Sequence, residues 1–103
     1  MAEPEIVDNT ALHRFELHLD GEIAFVLYSR EHNSIRLIHT EVPNQMRGKG
    51  VGSSLVNGVI RLAERQKVSV IPSCPFVADY LKRHPEYAQT VDTEHRWMIQ
   101  SPE

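Results

Sequence analysis

Between Pro43 and Leu55 the chain reads Asn44-Gln45-Met46-Arg47-Gly48-Lys49-Gly50-Val51-Gly52-Ser53-Ser54, and this segment limits the possible folds more than any other. Glycines at alternate positions, 48, 50 and 52, permit a tight path and remove side chains that would block a ligand. Apolar residues then recur at Val51, Leu55, Val59 and Leu62, with Val56, Ile60 and Ala63 beside them. That spacing of three and four predicts a helix over 51–67. Gly58 weakens this helix by about 1 kcal/mol relative to Ala. Ile35 to Val42 reads as a strand broken by Pro43-Asn44, so the glycines occupy a strand-to-helix turn. The first N–H groups of a helix lack intrahelical partners and favour anions. With the charges of Arg47 and Lys49 added, the turn is built as a pyrophosphate cradle.

The elements around the turn decide which pyrophosphate it suits. Phe15, Leu17 and Leu19 alternate with Glu16 and His18, the pattern of a strand over Arg14 to Leu19 with one wet face. Asp20-Gly21 predicts a tight hairpin turn. Ile23 to Tyr28 is almost wholly apolar and reads as a strand covered on both faces. Ser29 to Ser34 is a polar turn into the strand Ile35 to Val42, which completes an antiparallel meander. Beyond the helix, Val68 to Pro72 reads as a buried strand. Pro75 opens a helix over Phe76 to Arg83, which ends at His84-Pro85. The step from the third strand through the helix to the fourth is a β-α-β unit with a right-handed crossover. Residues 1–9 and 99–103 read as loose termini, and Trp97 and Met98 as residues that pack back on the domain. Trp97 and Tyr87 suit packing better than base stacking.

A Walker A loop needs a Lys-Ser/Thr after its last glycine, and this turn has none. The dinucleotide fingerprint has Gly-x-Gly-x-x-Gly at the first β-α-β unit, whereas here Gly-x-Gly-x-Gly follows a meander. A chain of 103 residues forms one domain, 1–103. Its net charge of -3 argues against nucleic acid, which selects a basic face. The acidic, polar start, the lack of a long apolar run and the lone Cys74 point to a cytoplasmic protein, with no membrane partner and a monomer as the simplest state. The six histidines show no trusted metal spacing, so no metal is expected.

The turn and its setting resemble the GNAT superfamily of CoA-dependent N-acetyltransferases, whose phosphate motif is Arg/Gln-x-x-Gly-x-Gly/Ala at a helix start. Two frames match, Gln45-Gly48-Gly50 and Arg47-Gly50-Gly52, and the second better places Leu55, Val56 and Val42. The resemblance covers roughly residues 35 to 83. The segment Pro72-Ser73-Cys74-Pro75 resembles very small stand-alone members of that superfamily. It implies an α+β, minimal GNAT fold: an antiparallel meander followed by a β-α-β-α unit. It also implies acetyl-CoA or another acyl-CoA as co-substrate and an amine as acceptor. Backbone from Val42 would follow the pantetheine arm, and Gly48, Val51, Gly52 and Ser53 would hold the pyrophosphate with Arg47, Lys49 and Gly50. Lys82 or Arg83 would reach a phosphate if the last helix lies close. The two helices that usually shape the acceptor site have no counterpart here, and Tyr80 is a shifted counterpart of a tyrosine near the thiol.

Cys74 is the sharpest candidate for catalysis, because it precedes a Pro-started helix and helix N-termini activate thiols. It is expected to accept an acetyl group or to protonate the departing thiolate, or else to be a small buried hydrophobe. His39 is the second, a general-base side chain near the motif. Strict alternation puts it on one face with Ile35, Leu37 and Glu41 and predicts half-burial; Glu41 is a possible base through water, and Thr40 faces the other way toward the cofactor. The expected activity is acetyl transfer to an amine. The alternative is a CoA-binding sensor or interaction module without turnover.

Overall fold

A computed structural model describes residues 5–100. In chain order the elements are β1 (Val7–Asn9), β2 (Arg14–Leu19), β3 (Glu22–Glu31), β4 (Ser34–Glu41), α1 (Val51–Gln66), β5 (Ser69–Pro72) and α2 (Pro75–Arg83). Short 3-10 segments occupy Asn44–Met46, Pro85–Thr90 and Thr93–Ile99. The strands form one five-stranded sheet in sequence order, antiparallel except for the parallel β4–β5 pair that α1 connects. This is the expected α+β architecture. Among the described residues, no helix is long and apolar enough to cross a membrane.

The alternation read in β2 holds at Phe15 and Leu17, which are in the core, but is corrected at Leu19, which is exposed, and at Glu16, which is buried on the other face. Asp20 and Gly21 both take positive φ, 52° and 79°, as a two-residue hairpin turn requires. In β3, Ala24, Val26 and Tyr28 are buried under α1, but Ile23, Phe25 and Leu27 on the opposite face are only half-buried. The expectation that this strand is covered on both faces is therefore corrected. Both helices lie on the same side of the sheet: the start of α2 meets α1 at Gly52, and Tyr80 meets it at Asn57.

The N-terminal arm differs from its sequence reading. Residues 7–9, expected to be loose, pair with β2 from Val7↔Glu16 to Asn9↔Arg14. This covers part of the β2 edge, whose backbone groups would otherwise be unpaired. The Asp8 carboxylate anchors the strand by accepting from the Tyr28 hydroxyl at 2.5 Å and Arg30 Nη2 at 3.2 Å. Residues 1–4 and 101–103, also read as loose, lie outside the described residues. At the other end, Ile99 packs against the core instead of fraying. The segment Thr93–Ile99 rests on β5 and α2. It is tied by Asp92 N–H donating to the Val70 carbonyl at 2.9 Å, and by the Asp92 carboxylate, which holds His95 at 2.7 Å. Trp97 does not pack as expected; it is 65% exposed.

Ile6 explains the glycine inside α1. A Cβ at position 58 would lie 2.5 Å from Ile6 Cγ1 and 2.8 Å from its Cδ1. Gly58→Ala should gain about 1 kcal/mol in helix propensity, yet lose more through overlap, for a net loss of roughly 1–2 kcal/mol in chemical denaturation. Combining it with Ile6→Ala should reverse the sign of the Gly58→Ala effect. A stabilised single variant would show that Ile6 does not occupy that groove.

On the face away from the helices, Glu16 is buried and accepts from Arg14 Nε at 2.6 Å and Asn9 Nδ2 at 2.9 Å, with His18 Nε2 at 2.7 Å. The His18 and Arg14 hydrogen bonds hold its carboxyl down at about 2. The folded value lies below the unfolded one, so the stabilisation is complete above about pH 4.5 and is lost as pH falls toward 2. Glu16→Gln should cost on the order of 3 kcal/mol at pH 7 and flatten the acid limb of a stability–pH profile. An acid limb identical to that of the parent would remove Glu16 as its source.

Candidate functional site

The glycine turn leads directly into the N-terminus of α1. Gly48 and Gly50 have φ of 81° and 73°, the left-handed region that favours glycine. A Cβ at either would meet no atom within 4 Å, so space opens in front of the turn. Gly50 caps α1, and the first intrahelical bond runs from Ser54 N–H to the Gly50 carbonyl at 3.0 Å. The N–H groups of Val51, Gly52 and Ser53 therefore have no acceptor within the helix. The first turn of α1 carries no acidic residue to compete for them. Gly52 serves a different purpose, because a Cβ there would lie 2.7 Å from Phe76 Cζ and 3.5 Å from Val42 Cγ2. Its absence lets α2 and the end of β4 close on α1.

A cavity of about 430 Å³ lies over this turn, between the start of α1, Val42 and Phe76. Of the cofactor-binding residues read from the sequence, Val42, Arg47, Gly48, Gly50, Val51, Gly52 and Ser53 line it. Arg47 is oriented by its Nε donating to the Val42 carbonyl at 3.3 Å. Lys49 lies on the other flank of the turn, in a second cavity over Leu17 that shares Val51 with the first. Lys82 and Arg83 sit in the last turn of α2, about 10 Å along the helix from Pro75, and Arg83 pairs with Asp79 at 3.0 Å. They are not beside the glycine turn. The free N–H groups, the guanidinium of Arg47 and the open space fit a pyrophosphate.

The strand leading to the turn holds the main difference from the sequence reading. Leu27 pairs with His39 but Tyr28 pairs with Leu37, so Ile38 is an extra residue, a bulge in β4. Past it the strand changes phase. Thr40 pairs with buried Val26 and faces the helices, while His39 and Glu41 pair with Leu27 and Phe25 on the open face. The expectation that His39 shares a face with Ile35 and Leu37 and is half-buried is corrected: its side chain is 53% exposed, with Nε2 2.9 Å from Glu41 Oε1. Adjacent Leu37 and Ile38, followed by Thr40 and Val42, is the one sequence sign of this shift, and strict alternation overrides it.

The pairing of β4 with β5 ends at Leu37↔Pro72, so β4 runs on from Ile38 with no strand beside it on that side. Cys74 stands at the mouth of the gap. Its N–H donates to the Leu37 carbonyl at 2.8 Å, it caps α2 without a side-chain bond, and its Sγ lies 3.3 Å from Thr40 Oγ1. It is a free thiol, 3% exposed. The bulge thus brings Thr40 to Cys74 and sends His39 to the opposite face, so the two sequence candidates do not meet.

The sequence reading missed a polar cluster on the α1–α2 seam. Asn57 Nδ2 donates to the hydroxyls of Tyr80 at 3.1 Å and Tyr87 at 2.8 Å, and His84 stacks on Tyr80 with centroids 4.1 Å apart. Burial pushes the Tyr80 phenol up from its ordinary value. No local signal links a mid-helix Asn to tyrosines 23 and 30 residues away.

The chain is similar to known proteins over most of its length. A family model described as GCN5-related N-acetyltransferase matches residues 14–91. The NMR solution structure of a GCN5-like candidate N-acetyltransferase from Staphylococcus aureus superposes with a TM-score of 0.67 at 26% identity, covering 89% of this chain and 91% of that one. The family match spans most of the sheet, both helices and the turn between them, and the chain belongs to the GCN5-related N-acetyltransferase family.

Proposed function

We propose that this protein binds acetyl-CoA, or a related acyl-CoA, and transfers the acyl group to an amine. The observation that carries the reading is the junction of two features in one cavity. The unpartnered N–H groups of α1 lie at one end, and Val42 joins the cavity to the edge of β4 that is free of β5 from Ile38 onward. A pyrophosphate on Val51, Gly52 and Ser53, with Arg47 beside it, directs an extended arm along that edge toward Thr40 and Cys74. A bound thioester supplies an activated acyl carbon. The chain's part is to orient it, with the Val42 N–H as donor to developing negative charge on the carbonyl oxygen. In direct transfer the amine nitrogen bonds to the acyl carbon as the carbon–sulfur bond breaks. One proton leaves the nitrogen and one reaches the departing thiolate. In this reading Cys74 gives that proton, and the 3.3 Å separation of its Sγ from Thr40 Oγ1 supports replacement of the proton from that hydroxyl. A route in which Cys74 first takes the acyl group uses the same placement. A free, reduced Cys74 suits a cytoplasmic protein.

One observation favours the second reading, a CoA-binding module without turnover. His39 and Glu41 lie on the opposite face of the sheet from Cys74, so neither candidate base stands beside the thiol on the helix side. Release of free thiol from acetyl-CoA across a panel of amines separates the two readings. Release with at least one amine is expected; measurable CoA binding with no release from any amine would leave only the module.

Two substitutions test the parts separately. Gly50→Glu puts a carboxylate in the cradle and a side chain at φ 73°, and should abolish CoA binding in calorimetry. Unchanged affinity would mean that the pyrophosphate binds elsewhere. Cys74→Ala should lower kcat by about 10²-fold while the Kd for CoA stays within about twofold. Full activity in that variant would return Cys74 to a packing role.

A further inference from the structure

The segment that presents Cys74 is short and is held from outside. β5 ends at Pro72 and α2 begins at Pro75, so Ser73 and Cys74 join two prolines. Neither proline has an N–H to donate. The Cys74 N–H is tied to the Leu37 carbonyl at 2.8 Å, and the Ser73 N–H to the Ile71 carbonyl at 3.0 Å. A further tie comes from the other face of the sheet. Arg36 lies between Ile35 and Leu37, which face the core, so its side chain leaves β4 on the side away from the helices. Its Nη1 donates to Ser73 Oγ at 2.7 Å. The same guanidinium is gripped by the Glu31 carboxylate, with Nε donating to Oε2 at 2.6 Å and Nη2 to Oε1 at 3.3 Å. A planar fork held at two of its nitrogens leaves the third in a fixed direction. The Arg36 hydrogen bond also keeps the Glu31 carboxyl below its ordinary value, so both partners stay charged at neutral pH.

The consequence falls on the thiol. Cys74 follows Ser73 directly, and its Sγ stands 3.3 Å from Thr40 Oγ1. A shift of about 1 Å in a reacting group is enough to cost on the order of 10²-fold in rate. We propose that Arg36 is a positioning residue for acyl transfer: oriented by Glu31, it fixes Ser73 and so holds the Cys74 thiol against Thr40. This role rests on the reading of Cys74 as proton donor or acyl carrier. Arg36 works from the face opposite the helices and is not among the residues that line the cavity over the glycine turn. Its loss should therefore appear in turnover and not in affinity for CoA.

Kinetics on the full chain, with acetyl-CoA and the amine that the parent acetylates fastest, test the role. Arg36→Ala should lower kcat at least about tenfold while the Kd for CoA stays within about twofold. Ser73→Ala should do the same, and Ser73→Thr, which keeps the hydroxyl, should retain parent turnover. The double variant Arg36→Ala/Ser73→Ala should lose no more than either single one. In a Cys74→Ala background, Arg36→Ala should leave kcat unchanged, because the thiol it positions is gone. Equal losses in both backgrounds would make Arg36 a general structural residue and overturn the role. The thiol supplies a readout that needs no turnover. Cys74 is 3% exposed, so labelling by methyl methanethiosulfonate, followed by mass spectrometry, should run at least about tenfold faster in Arg36→Ala. Unchanged labelling and unchanged kcat in Arg36→Ala, in a protein that Cys74→Ala inactivates, would overturn the positioning role and leave the reading of Cys74 intact. Full activity of Cys74→Ala, or a parent that releases thiol with no amine, would overturn both. Should Arg36→Ala fail to fold, Ser73→Ala against Ser73→Thr decides the same question.

Discussion

One unpaired residue in β4 sets the geometry around which the rest is arranged. Up to Leu37 the strand is held on both sides, by β3 and by β5. At Ile38 the ladder with β3 gains a residue, the pairing with β5 stops, and the strand continues held on one side only. A strand that loses one neighbour must satisfy its backbone groups elsewhere, and an extended ligand can do so in the manner of an added strand. The same residue decides which side chains can cooperate. Thr40 reaches Cys74 because of the phase change, and His39 and Glu41 leave the helix side for the same reason.

The closeness of the two helices is a second constraint, and glycine makes it possible. Gly52 admits Phe76 where a methyl group would collide at 2.7 Å, and Gly58 admits Ile6 on the opposite flank of α1. α1 is thus gripped from both sides while its N-terminus stays uncovered. That arrangement leaves N–H donors exposed at the end of a rigid element, where a helix terminus favours anions. The core beneath, with Leu55, Val56, Val59 and Ile60 fully buried, supplies the rigidity.

The face of the sheet away from the helices is organised differently. Its buried charge, Glu16, is surrounded by Arg14, His18 and Asn9, and Arg14 also lies 4.3 Å from the centroid of the Phe25 ring. A polar cluster of this kind needs every member, since removing one leaves an uncompensated group. It stabilises β1 against β2 through Asn9, so the short edge strand is held by hydrogen bonds and charge rather than by apolar area. His39 and Glu41 share this face, further along the same sheet.

The sequence by itself determined the local elements and the position of the turn. The strand over β2, the three-and-four spacing of α1, the Asp20-Gly21 hairpin and the glycines at 48, 50 and 52 are all matters of near neighbours, and each element is found where its residues predict, although Glu16 and Leu19 exchange the burial that alternation assigns them. It also determined the family, because the spacing of Arg47, Gly50 and Gly52 is itself the recognisable feature. Tertiary structure alone decided what depends on contacts between distant segments. The bulge at Ile38 follows from matching β4 to β3 on one side and β5 on the other, and it reversed the face assigned to His39. The pairing of residues 7–9 depends on a free β2 edge and on Tyr28, 20 residues away from Asp8, and the Asn57 cluster depends on how α2 crosses α1. Periodicity reports which face of an element is apolar; only packing decides which elements those faces meet.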